Sequence, residues 1–300
     1  MLNFAPLTLG DIPTVQPFLR YQQSRICDYS IGGIFMWRDY FHTRFAVYEG
    51  TLLFQVRYLS GATAFTVPLG PDRQACLAAV EQLELFCREN DLPLVYCTVP
   101  ENAVAKLRER YPDALIQPSR DWFDYLYRTE DLVAFRGKKY DGQRNHIHKF
   151  RKMFPDFAFE EISPENLPRV RAFYDDFAYR YEKPGDLAQE ESDKVKELLR
   201  AYDRYGQFGG VVTTGGKIVA MSIGERVNDT LFVHVEKADI EYPGVYQVIV
   251  QEFLKHFARE GDAYVNREED VGDEGLRRSK LSYHPVALLE KSTVLVGKLG

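Results

Sequence analysis

The sequence predicts an α/β (α+β) chain of two domains, each a mixed, twisted sheet flanked by helices. Three observations predict this class: a length of 300 residues, a gapless repeat near the start of each half, and helices that alternate with strands. One hydrophobic core rarely serves so long a chain, so two domains of roughly 150 residues are expected. We place an N-terminal domain at 1–135, a basic linker and helix at 136–155, and a C-terminal domain at 156–300.

The repeat aligns residues 7–19 with residues 162–174. Both copies read apolar-x-x-x-Asx-apolar-Pro-x-Val-x-x-Phe-apolar, with Asp11 or Asn166 as the expected helix cap. In each copy the proline falls in the first helical turn, where its missing N–H costs nothing. Two copies of one α/β unit are therefore expected.

The segments after each repeat copy have a hairpin pattern, and those of the second half continue in a regular order. The predicted hairpin turns are Glu49-Gly50 and Gly215-Gly216, and another turn is expected at Asn228-Asp229. The later segments are a strand at 231–235, a helix at 246–257, a strand at 263–266, a helix at 276–283 and a closing strand at 292–296. This order is typical of a mixed sheet.

The composition is that of a globular protein, with 45% hydrophobic and 27% charged residues and a net charge of −6. The negative charge excludes a general polyanion-binding protein, so DNA is not an expected partner and any phosphate contact must be local. The N-terminus lacks the pattern of a signal peptide, and no apolar run approaches the roughly 20 residues of a membrane helix. We therefore expect a cytoplasmic protein.

The four cysteines, Cys27, Cys76, Cys87 and Cys97, form no CxxC pair and no Cys/His cluster with zinc spacing. Reduced thiols are expected, with Cys76 and Cys87 as small core residues and no metal site.

A basic block occupies residues 136–152 and contains seven Lys or Arg residues against one Asp. Its net charge of +6 leaves −12 for the rest of the chain. On a helix, Arg144, His148 and Arg151 would lie on a different face from the apolar residues. Two interpretations stay open: a solvated amphipathic helix, or a platform for the phosphate of a lipid head, a coenzyme or RNA.

A second charged segment, residues 264–285, runs from a strand through a loop at Gly272 into a helix. Asp273 and Glu274 near the helix start favour its dipole. These acids could in principle hold a divalent ion, but the interleaved Arg277 and Arg278 favour ion pairs within the segment.

Several familiar motifs are absent from the sequence. The stretch 210–218 has the wrong Gly-to-Lys spacing for a phosphate loop, and Ile218 stands where Ser or Thr is required. No GxGxxG follows a strand and no GxSxG elbow exists. His234, inside a strand, is expected to be a core or sheet-face residue.

The second charged segment resembles the signature of a bacterial family of uncharacterised proteins that is similar to the C-terminal domain of phosphatidylglycerol lysyltransferases. The motifs that carry the resemblance are Asn266-Arg-Glu-Glu-Asp270-Val-Gly272, Leu276-Arg277-x-x-Lys280-x-x-Tyr283-x-Pro285, and Gly137-Lys-Lys139 with Arg144-Asn145. The resemblance runs from about Tyr21 to Val296. It implies two tandem GNAT-like acyltransferase domains and kinship to Fem-type aminoacyltransferases, which use charged tRNA.

One stretch departs from the pattern of GNAT acetyltransferases. These enzymes usually place Arg/Gln-x-x-Gly-x-Gly/Ala before the helix whose N-terminal amides bind the coenzyme pyrophosphate. Here the stretch is Glu241-Tyr-Pro-Gly244-Val-Tyr246, which is acidic and crowded. It favours aminoacyl-tRNA as the donor substrate, with acetyl- or acyl-coenzyme A as the alternative and no permanently bound cofactor.

The resemblance implies an enzyme that moves an aminoacyl group from aminoacyl-tRNA to an amine or hydroxyl of a lipid head group or peptide. Glu268 or Asp270 would orient or deprotonate the acceptor, Lys280 would stabilise oxyanion charge, and Tyr283 would protonate the leaving 3′-oxygen. The expected substrate-binding residues are Asn266, Arg267, Arg277, Tyr246, Lys138, Lys139, Arg144, His148 and Arg151.

Two other functions stay open. A coenzyme A-dependent N-acyltransferase would bind acetyl-coenzyme A saturably. A non-catalytic ligand- or RNA-binding protein on the duplicated fold would keep its binding after replacement of Glu268 and Asp270. The expected partners are charged tRNA and a phospholipid or peptide acceptor, with peripheral contact at the inner membrane surface.

Overall fold

The structure, a computed structural model, describes residues 2–58, 60–181 and 185–299, and its strands form two seven-stranded sheets. The chain divides into two compact units. Unit 1 comprises Met1–Asp124, Glu269–Gly272 and Leu288–Gly300, and unit 2 comprises Tyr125–Glu268 and Asp273–Ala287. Each unit is thus assembled from separate stretches, unlike the continuous spans placed from the sequence. None of the helices in the described part of the chain is long and apolar enough to cross a membrane.

Unit 1 contains one mixed sheet and the helices that flank it. Its strands are β1 (Ala5–Pro6), β2 (Arg44–Tyr48), β3 (Thr51–Arg57), β4 (Thr63–Phe65), β5 (Leu94–Pro100), β6 (Leu115–Pro118) and β14 (Lys291–Gly297). Its helices are α1 (Ile12–Val15), α2 (Ile31–Met36), α3 (Arg73–Glu89) and α4 (Glu101–Arg110). Short 3-10 turns cover Leu9–Asp11, Gln16–Tyr21, Cys27–Tyr29 and Arg120–Trp122.

The C-terminal strand completes the sheet of unit 1, whose order is β1-β2-β3-β4-β5-β14-β6. The predicted strand at 292–296 is confirmed, but its expected place at the close of the second domain is wrong. β14 lies antiparallel between β5 and β6, with Val294 opposite Tyr96 and Ile116. Val294 is fully buried in the core with Leu83 and Tyr96, so its apolar side chain accounts for the placement.

Unit 2 has a sheet of the same plan. Its strands are β7 (Asp124–Arg128), β8 (Ala158–Glu161), β9 (Phe208–Thr214), β10 (Lys217–Val227), β11 (Thr230–Ala238), β12 (Tyr264–Asn266) and β13 (Ala287–Leu289). Its helices are α5 (Thr129–Ala134), α6 (Asp141–Met153), α7 (Leu167–Tyr181), α8 (Asp186–Arg200), α9 (Tyr202–Tyr205), α10 (Val245–Phe257) and α11 (Glu274–Leu281), with a 3-10 turn at Lys138–Tyr140.

The strand order of this second sheet is β13-β7-β12-β11-β10-β9-β8. β7 comes from the first half of the sequence and lies antiparallel to β12. Both sheets place one parallel pair in the same position, β4 with β5 and β11 with β12. The expected duplication is therefore confirmed, and each copy of the sheet takes one strand from the other half of the sequence.

The repeated segment also shows the same local hydrogen bond in both copies. Asp11 Oδ2 accepts the amide of Thr8 at 2.8 Å, and Asn166 Oδ1 accepts the amide of Ser163 at 2.9 Å. The Asx side chains thus bond to the turn that precedes the helix, and Asp11 makes no side-chain bond to a helical amide. The first copy remains a short helix followed by a 3-10 turn because Pro17 cannot continue the α-helical ladder.

The predicted hairpins and helices of the second half are confirmed. Glu49 and Gly50, like Gly215 and Gly216, have positive φ, as two-residue hairpin turns require. α10 buries a continuous apolar face that includes Val248, Ile249 and Phe253. This face packs the helix that follows β11 against the sheet and so fixes the position of the loop before it.

Candidate functional site

The parallel strands β11 and β12 of unit 2 separate after three paired residues. The last pair is Phe232 with Asn266; β12 ends there, whereas β11 continues to Ala238. In open α/β sheets, ligands bind in crevices beyond the carboxyl ends of neighbouring parallel strands. We call the region around His234, Glu236, Arg267 and Glu268, which begins at this separation, the β11/β12 fork.

His234 in β11 joins two carboxylates. Its Nδ1 lies 2.7 Å from Glu268 Oε1, and its Nε2 lies 2.8 Å from Glu225 Oε1. Burial alone lowers the pKa of His234, but the hydrogen bonds to the two carboxylates raise it to about 10. His234 is therefore an imidazolium at neutral pH that donates both N–H groups. Glu268 is the member of this triad that reaches solvent, with 22% of its side chain exposed.

A second ion pair crosses the fork beside the first. Arg267 Nη2 donates to Glu236 Oε1 at 2.7 Å, and the guanidinium lies 4.5 Å from the ring centroid of Tyr283. Burial lowers the pKa of Arg267, but the charge of Glu236 outweighs this effect and keeps the pKa above its usual range. Arg267 Nη1 is buried and has no hydrogen-bond partner among the described residues. The fork thus contains a fixed cation with one donor group not engaged in a hydrogen bond.

The loop that carries Glu268 is held by its neighbours. Asn266 Oδ1 accepts the Glu268 amide at 2.6 Å, and Glu268 has a positive φ of 56°. The buried Lys280 of α11 donates from Nζ to the backbone carbonyl of Arg267. Lys280 and Asn266 therefore fix the backbone from which the fork side chains project. Strained backbone of this kind persists only where its surroundings over-determine it.

Tyr283, at the end of α11, is almost fully buried. Burial raises the pKa of its phenol to about 12, so the phenol is protonated at neutral pH. Its backbone carbonyl accepts a hydrogen bond from the Tyr140 hydroxyl at 3.1 Å. The structure thus brings Glu268, Lys280, Tyr283, Asn266 and Arg267 together around the fork of unit 2.

Asp270 belongs to unit 1 and has a different environment. Its fully buried carboxylate forms an ion pair with Arg120 at 3.1 Å and accepts the Gly272 amide at 3.0 Å. These bonds anchor the loop and make Glu268 the better placed carboxylate for meeting a substrate.

The expected pairing within the second charged segment is seen in α11. Asp273 caps the helix by accepting the Leu276 amide at 2.8 Å, and Glu274 lies 3.6 Å from Arg278. Arg277 is partly exposed on the same helix.

The basic block forms a 3-10 turn and α6 in unit 2, and acids or carbonyls of that unit already engage several of its cations. Lys139 pairs with Asp131, Arg151 pairs with Glu252, and Arg144 donates to the Gly137 carbonyl. Two further side chains of the block, Lys138 and His148, are exposed and form no ion pair with described residues, whereas Tyr140, Ile147 and Phe150 are buried. Four Lys and Arg residues of the block are exposed and form no ion pair with described residues: Arg136, Lys138, Lys149 and Lys152.

The loop before α10 contains its own anion. Asp239 Oδ1 accepts the Glu241 amide at 3.0 Å, and Asp239 Oδ2 pairs with Arg180 at 2.8 Å. A Cβ added to Gly244, the residue before α10, would lie 2.3 Å from the carbonyl oxygen of His146. The loop thus contains an internal carboxylate, and Gly244 packs against the backbone of α6. Tyr246 is partly buried in the first turn of α10, and burial raises its pKa to about 12.

A buried charge cluster in unit 1 was not predicted from the sequence. Lys291 Nζ lies 2.6 Å from Asp28 Oδ2, 2.7 Å from Asp124 Oδ1 and 3.3 Å from Cys27 Sγ. Glu269 Oε2 lies 3.4 Å from the same ammonium. Cys27, Asp124 and Glu269 offer ligand atoms within 4.8 Å of one another, but the ammonium already contacts all three.

Burial and the charges of the cluster act in opposite directions on the pKa values of its groups. Burial raises the pKa of Asp124 to about 7 against the opposing effect of Lys291, and it raises the pKa of the Cys27 thiol. The pKa of Lys291 stays well above its usual value because the surrounding acids outweigh its burial.

Sequence reasoning missed the partners of Glu268 and Arg267. Glu225, His234 and Glu236 are polar residues in two long strands that are otherwise strongly apolar, and this contrast was the available signal. His234 is a sheet-face residue, as expected, but it binds two carboxylates rather than apolar neighbours.

The family model described as phosphatidylglycerol lysyltransferase, C-terminal, matches residues 19–295. The chain belongs to this family. The crystal structure of a conserved protein of unknown function from Bacteroides thetaiotaomicron is 31% identical, covers 98% of this chain and 99% of its own, and gives a TM-score of 0.90. The family membership and the two mixed sheets confirm the predicted tandem GNAT-like fold class and relate the chain to acyltransferases.

Two more distant structures of the phosphatidylglycerol lysyltransferase type share the fold. The C-terminal domain assigned to a lysylphosphatidylglycerol synthetase of Agrobacterium fabrum has a TM-score of 0.69 at 12% identity, covering 96% of this chain and 91% of its own. L-PGS from Bacillus licheniformis has a TM-score of 0.67 at 13% identity, covering 94% and 91%. At these identities the likeness shows the fold alone.

A curated relative, the uncharacterised protein MYCGA3080 of Mycoplasmoides gallisepticum, is 26% identical over 195 residues. The match covers 63% of this chain and spans 61% of that relative's length.

Proposed function

We propose that the protein is an aminoacyltransferase that takes an aminoacyl group from aminoacyl-tRNA and transfers it to an amine or hydroxyl acceptor. The observation that carries this proposal is the loop before α10, where the Asp239 carboxylate would repel a coenzyme pyrophosphate. The family is that of an aminoacyl-transferring C-terminal domain, which supports the same donor.

The β11/β12 fork supplies the groups for the transfer. The nucleophile of the acceptor attacks the ester carbonyl of the aminoacyl-tRNA, a new amide or ester bond forms, and the bond to the 3′-oxygen breaks. Glu268, held as a carboxylate by His234, receives the proton of the acceptor. The fixed positive charge of Arg267, held by Glu236, would stabilise negative charge that develops on the carbonyl oxygen.

Lys280 and Tyr283 have positioning roles in this proposal. Lys280 fixes the Arg267 carbonyl, and the protonated Tyr283 ring supports the Arg267 guanidinium. Neither buried side chain is required to touch the substrate. Proton delivery to the 3′-oxygen is assigned to the acid form of Glu268 after it has accepted the acceptor's proton.

The donor phosphates are assigned to the exposed cations of the basic block. Lys138, Lys149 and Lys152 are exposed and form no ion pair with described residues, so tRNA phosphates do not have to displace an internal acid. A lipid head group or a peptide is the proposed acceptor, and a lipid would be met by peripheral contact at a membrane surface.

The test is a transfer assay with tRNA charged with radiolabelled amino acids, with recovery of label in lipid and peptide fractions. Wild-type protein is expected to move label, and Glu268→Gln is expected to lower the rate about 100-fold or more because a general base is lost. Glu274→Gln is the matched control, since Glu274 is exposed and pairs only with Arg278 among described residues.

Thermal unfolding with charged tRNA, uncharged tRNA and acetyl-coenzyme A gives a second measurement. A ligand at about 100 times its Kd adds ~2.7 kcal/mol to the free energy of unfolding. Stabilisation by charged tRNA is expected. Stabilisation by acetyl-coenzyme A alone would overturn the proposal in favour of a coenzyme A-dependent enzyme, and label transfer that survives in Glu268→Gln would overturn the assigned base.

A further inference from the structure

The buried charge cluster of unit 1 holds an amine against a thiol. Nζ of Lys291, in β14, lies 3.3 Å from Sγ of Cys27, which belongs to the 3-10 turn Cys27–Tyr29. Only 3% of Lys291 and 5% of Cys27 are exposed. The fold thus keeps these two groups in contact, although 264 positions separate them in the sequence. The proposed transfer reaction uses neither of them.

Three carboxylates surround the amine and the thiol. Sγ of Cys27 lies 3.4 Å from Asp124 Oδ1 and 3.3 Å from Glu269 Oε2. The ammonium of Lys291 lies 2.7 Å from Asp124 Oδ1 and 2.6 Å from Asp28 Oδ2. Because three acids face one cation, the cluster can take up a proton that the ammonium releases. Asp124 is suited to this step, since burial raises its pKa to about 7.

Among the described residues, no second thiol contacts the sulfur of Cys27. Its hydrogen-bond partners there are Lys291 and the three acids. A thiol that is oxidised to a sulfenic acid condenses with a neighbouring thiol or nitrogen. Nζ of Lys291 is a nitrogen that already lies against this sulfur. The side chain of Asp28 is 24% exposed, which opens the cluster to a small oxidant.

We propose that Cys27 and Lys291 form a modification site, at which hydrogen peroxide links Sγ to Nζ through a reversible sulfenamide bond. In the first step, peroxide oxidises the thiol to a sulfenic acid by two electrons, and the O–O bond breaks with release of one water. In the second step, a carboxylate takes one proton from the ammonium and Nζ attacks the sulfur. The S–O bond breaks, and the hydroxyl leaves as a second water with another proton of the amine.

The resting cluster protects both groups from this reaction. Burial raises the pKa of the Cys27 thiol, and the surrounding acids outweigh the burial of Lys291 and raise the pKa of its ammonium. The thiolate and the free amine are the nucleophilic forms, so both are scarce at neutral pH. The link is therefore expected to form slowly, and its rate is expected to increase with pH.

The test treats the full chain with hydrogen peroxide and follows its intact mass. The linked chain is expected to be about 2 Da lighter, because two hydrogens are lost and no oxygen is gained. Dithiothreitol should restore the original mass, since its thiolate attacks the sulfur and releases the amine. Digestion should yield the Cys27 peptide joined to the Lys291 peptide. In urea the two groups are no longer held together, so little or no link is expected.

Two variants separate this site from the other thiols. Cys27→Ser removes the sulfur at nearly constant side-chain size and is expected to abolish the link. Cys76→Ser is the matched control, because this half-buried thiol of α3 lies outside the cluster, and the link should form in it at the wild-type rate. Circular dichroism checks that both variants fold, and the joined peptides of the wild type give a result that depends on neither variant.

Several results would overturn the proposal. One is a Cys27 thiol that stays free in excess peroxide at high pH, and another is oxidation that stops at acids about 16 Da or more heavier. A bond from Cys27 to another cysteine or to a backbone nitrogen would exclude Lys291 as the partner. A gain of about 14 Da would place an oxygen atom between Nζ and Sγ and so contradict the direct bond. Equal yields in buffer and in urea would show that the folded geometry plays no part.

Discussion

Nδ1 of His234 lies 2.7 Å from Oε1 of Glu268 and joins the long strand β11 to the residue two positions beyond the end of β12. The other ring nitrogen donates to Glu225, so a single imidazolium is hydrogen-bonded to two carboxylates. The arrangement holds Glu268 in its charged form and restrains a backbone with positive φ. Stability and the state of the proposed base therefore depend on the same proton.

Replacement of His234 by Gln is expected to destabilise the protein by ~3–5 kcal/mol, because two carboxylates lose their buried cation. In the wild type the folded pKa of about 10 exceeds the ordinary value of 6.5, so the folded state keeps a proton that the unfolded state releases. The stabilisation is complete below pH 6.5 and is lost as the pH rises toward 10. Urea unfolding at several pH values measures how the free energy of unfolding changes with pH.

The control for His234→Gln is His256→Gln, because His256 is half-exposed and lies 3.6 Å from Glu161. The control is expected to change stability by no more than about 0.5 kcal/mol. An unchanged pH slope in His234→Gln would contradict the assigned protonation.

Replacement of Lys291 by Met is expected to cost ~3–5 kcal/mol, since the buried Asp124 and the partly buried Asp28 and Glu269 would lose their cation. Lys298→Met removes an exposed pair with Asp91 and should cost less than about 1 kcal/mol. Denaturant midpoints of the two variants, measured side by side at constant pH, give the comparison. Equal midpoints would contradict the role of Lys291 as the internal cation.

Asp124→Asn tests the same cluster through its pH dependence. The folded pKa of about 7 exceeds the ordinary 3.8, so wild-type stability decreases as the pH rises from about 4 to 7. Each unit of pKa difference corresponds to about 1.4 kcal/mol. In the Asn variant the free energy of unfolding should no longer decrease between about pH 4 and 7. Above pH 7 the variant should therefore be more stable relative to wild type than it is at low pH. A slope that persists in the variant would place the titrating proton on another group.

Each sheet contains one strand from the other half of the sequence, and this arrangement predicts which fragments of the chain fold. Residues 125–287 contain every strand of the second sheet apart from the first residue of β7 and all but Ala287 of the edge strand β13, whereas residues 156–300 lack β7, the neighbour of β12. The first fragment is expected to show a cooperative unfolding transition and the second none, by circular dichroism on heating. Cooperative unfolding of 156–300 would show that β7 is dispensable.

Charge removal on α6 and on the 3-10 turn before it tests the proposed phosphate contacts. The triple variant with Lys138, Lys149 and Lys152 changed to Gln should weaken tRNA binding and lower the slope of log K against log salt by about 0.7–0.9 per lost contact. Arg151→Gln is the comparison, because Arg151 already pairs with Glu252. Filter binding between low and physiological salt measures the tRNA affinity and the salt slope of the two variants. A salt slope unchanged in the triple variant would remove these lysines from the binding surface.

Local patterns in the sequence were sufficient to predict the duplicated fold. The turns at Glu49-Gly50 and Gly215-Gly216 and the apolar face of α10 arise from residues close in sequence, so their spacing reveals them. The exchange of β7 and β14 could not be predicted in this way, because an apolar strand fits either sheet. The packing of the folded chain decides which sheet β14 joins: Val294 is buried in the same core as Tyr96.

The site was predicted in part for a similar reason. Glu268, Arg267 and Lys280 stand in one short charged segment and were found as a group. Their partners Glu225 and Glu236 lie on distant strands, and sequence spacing carries no information on such contacts. Burial was also invisible: the sequence does not show that Lys280 is enclosed while Lys138 remains exposed.

The place of β14 between β5 and β6 also bears on how the protein is made. As the chain leaves the ribosome, β5 and β6 emerge long before the strand that must lie between them, since all of unit 2 is translated first. Until then each has an unpaired edge, the kind of surface on which chains associate wrongly. Pairing across such a sequence separation is slow, which prolongs the time for which these edges stay exposed.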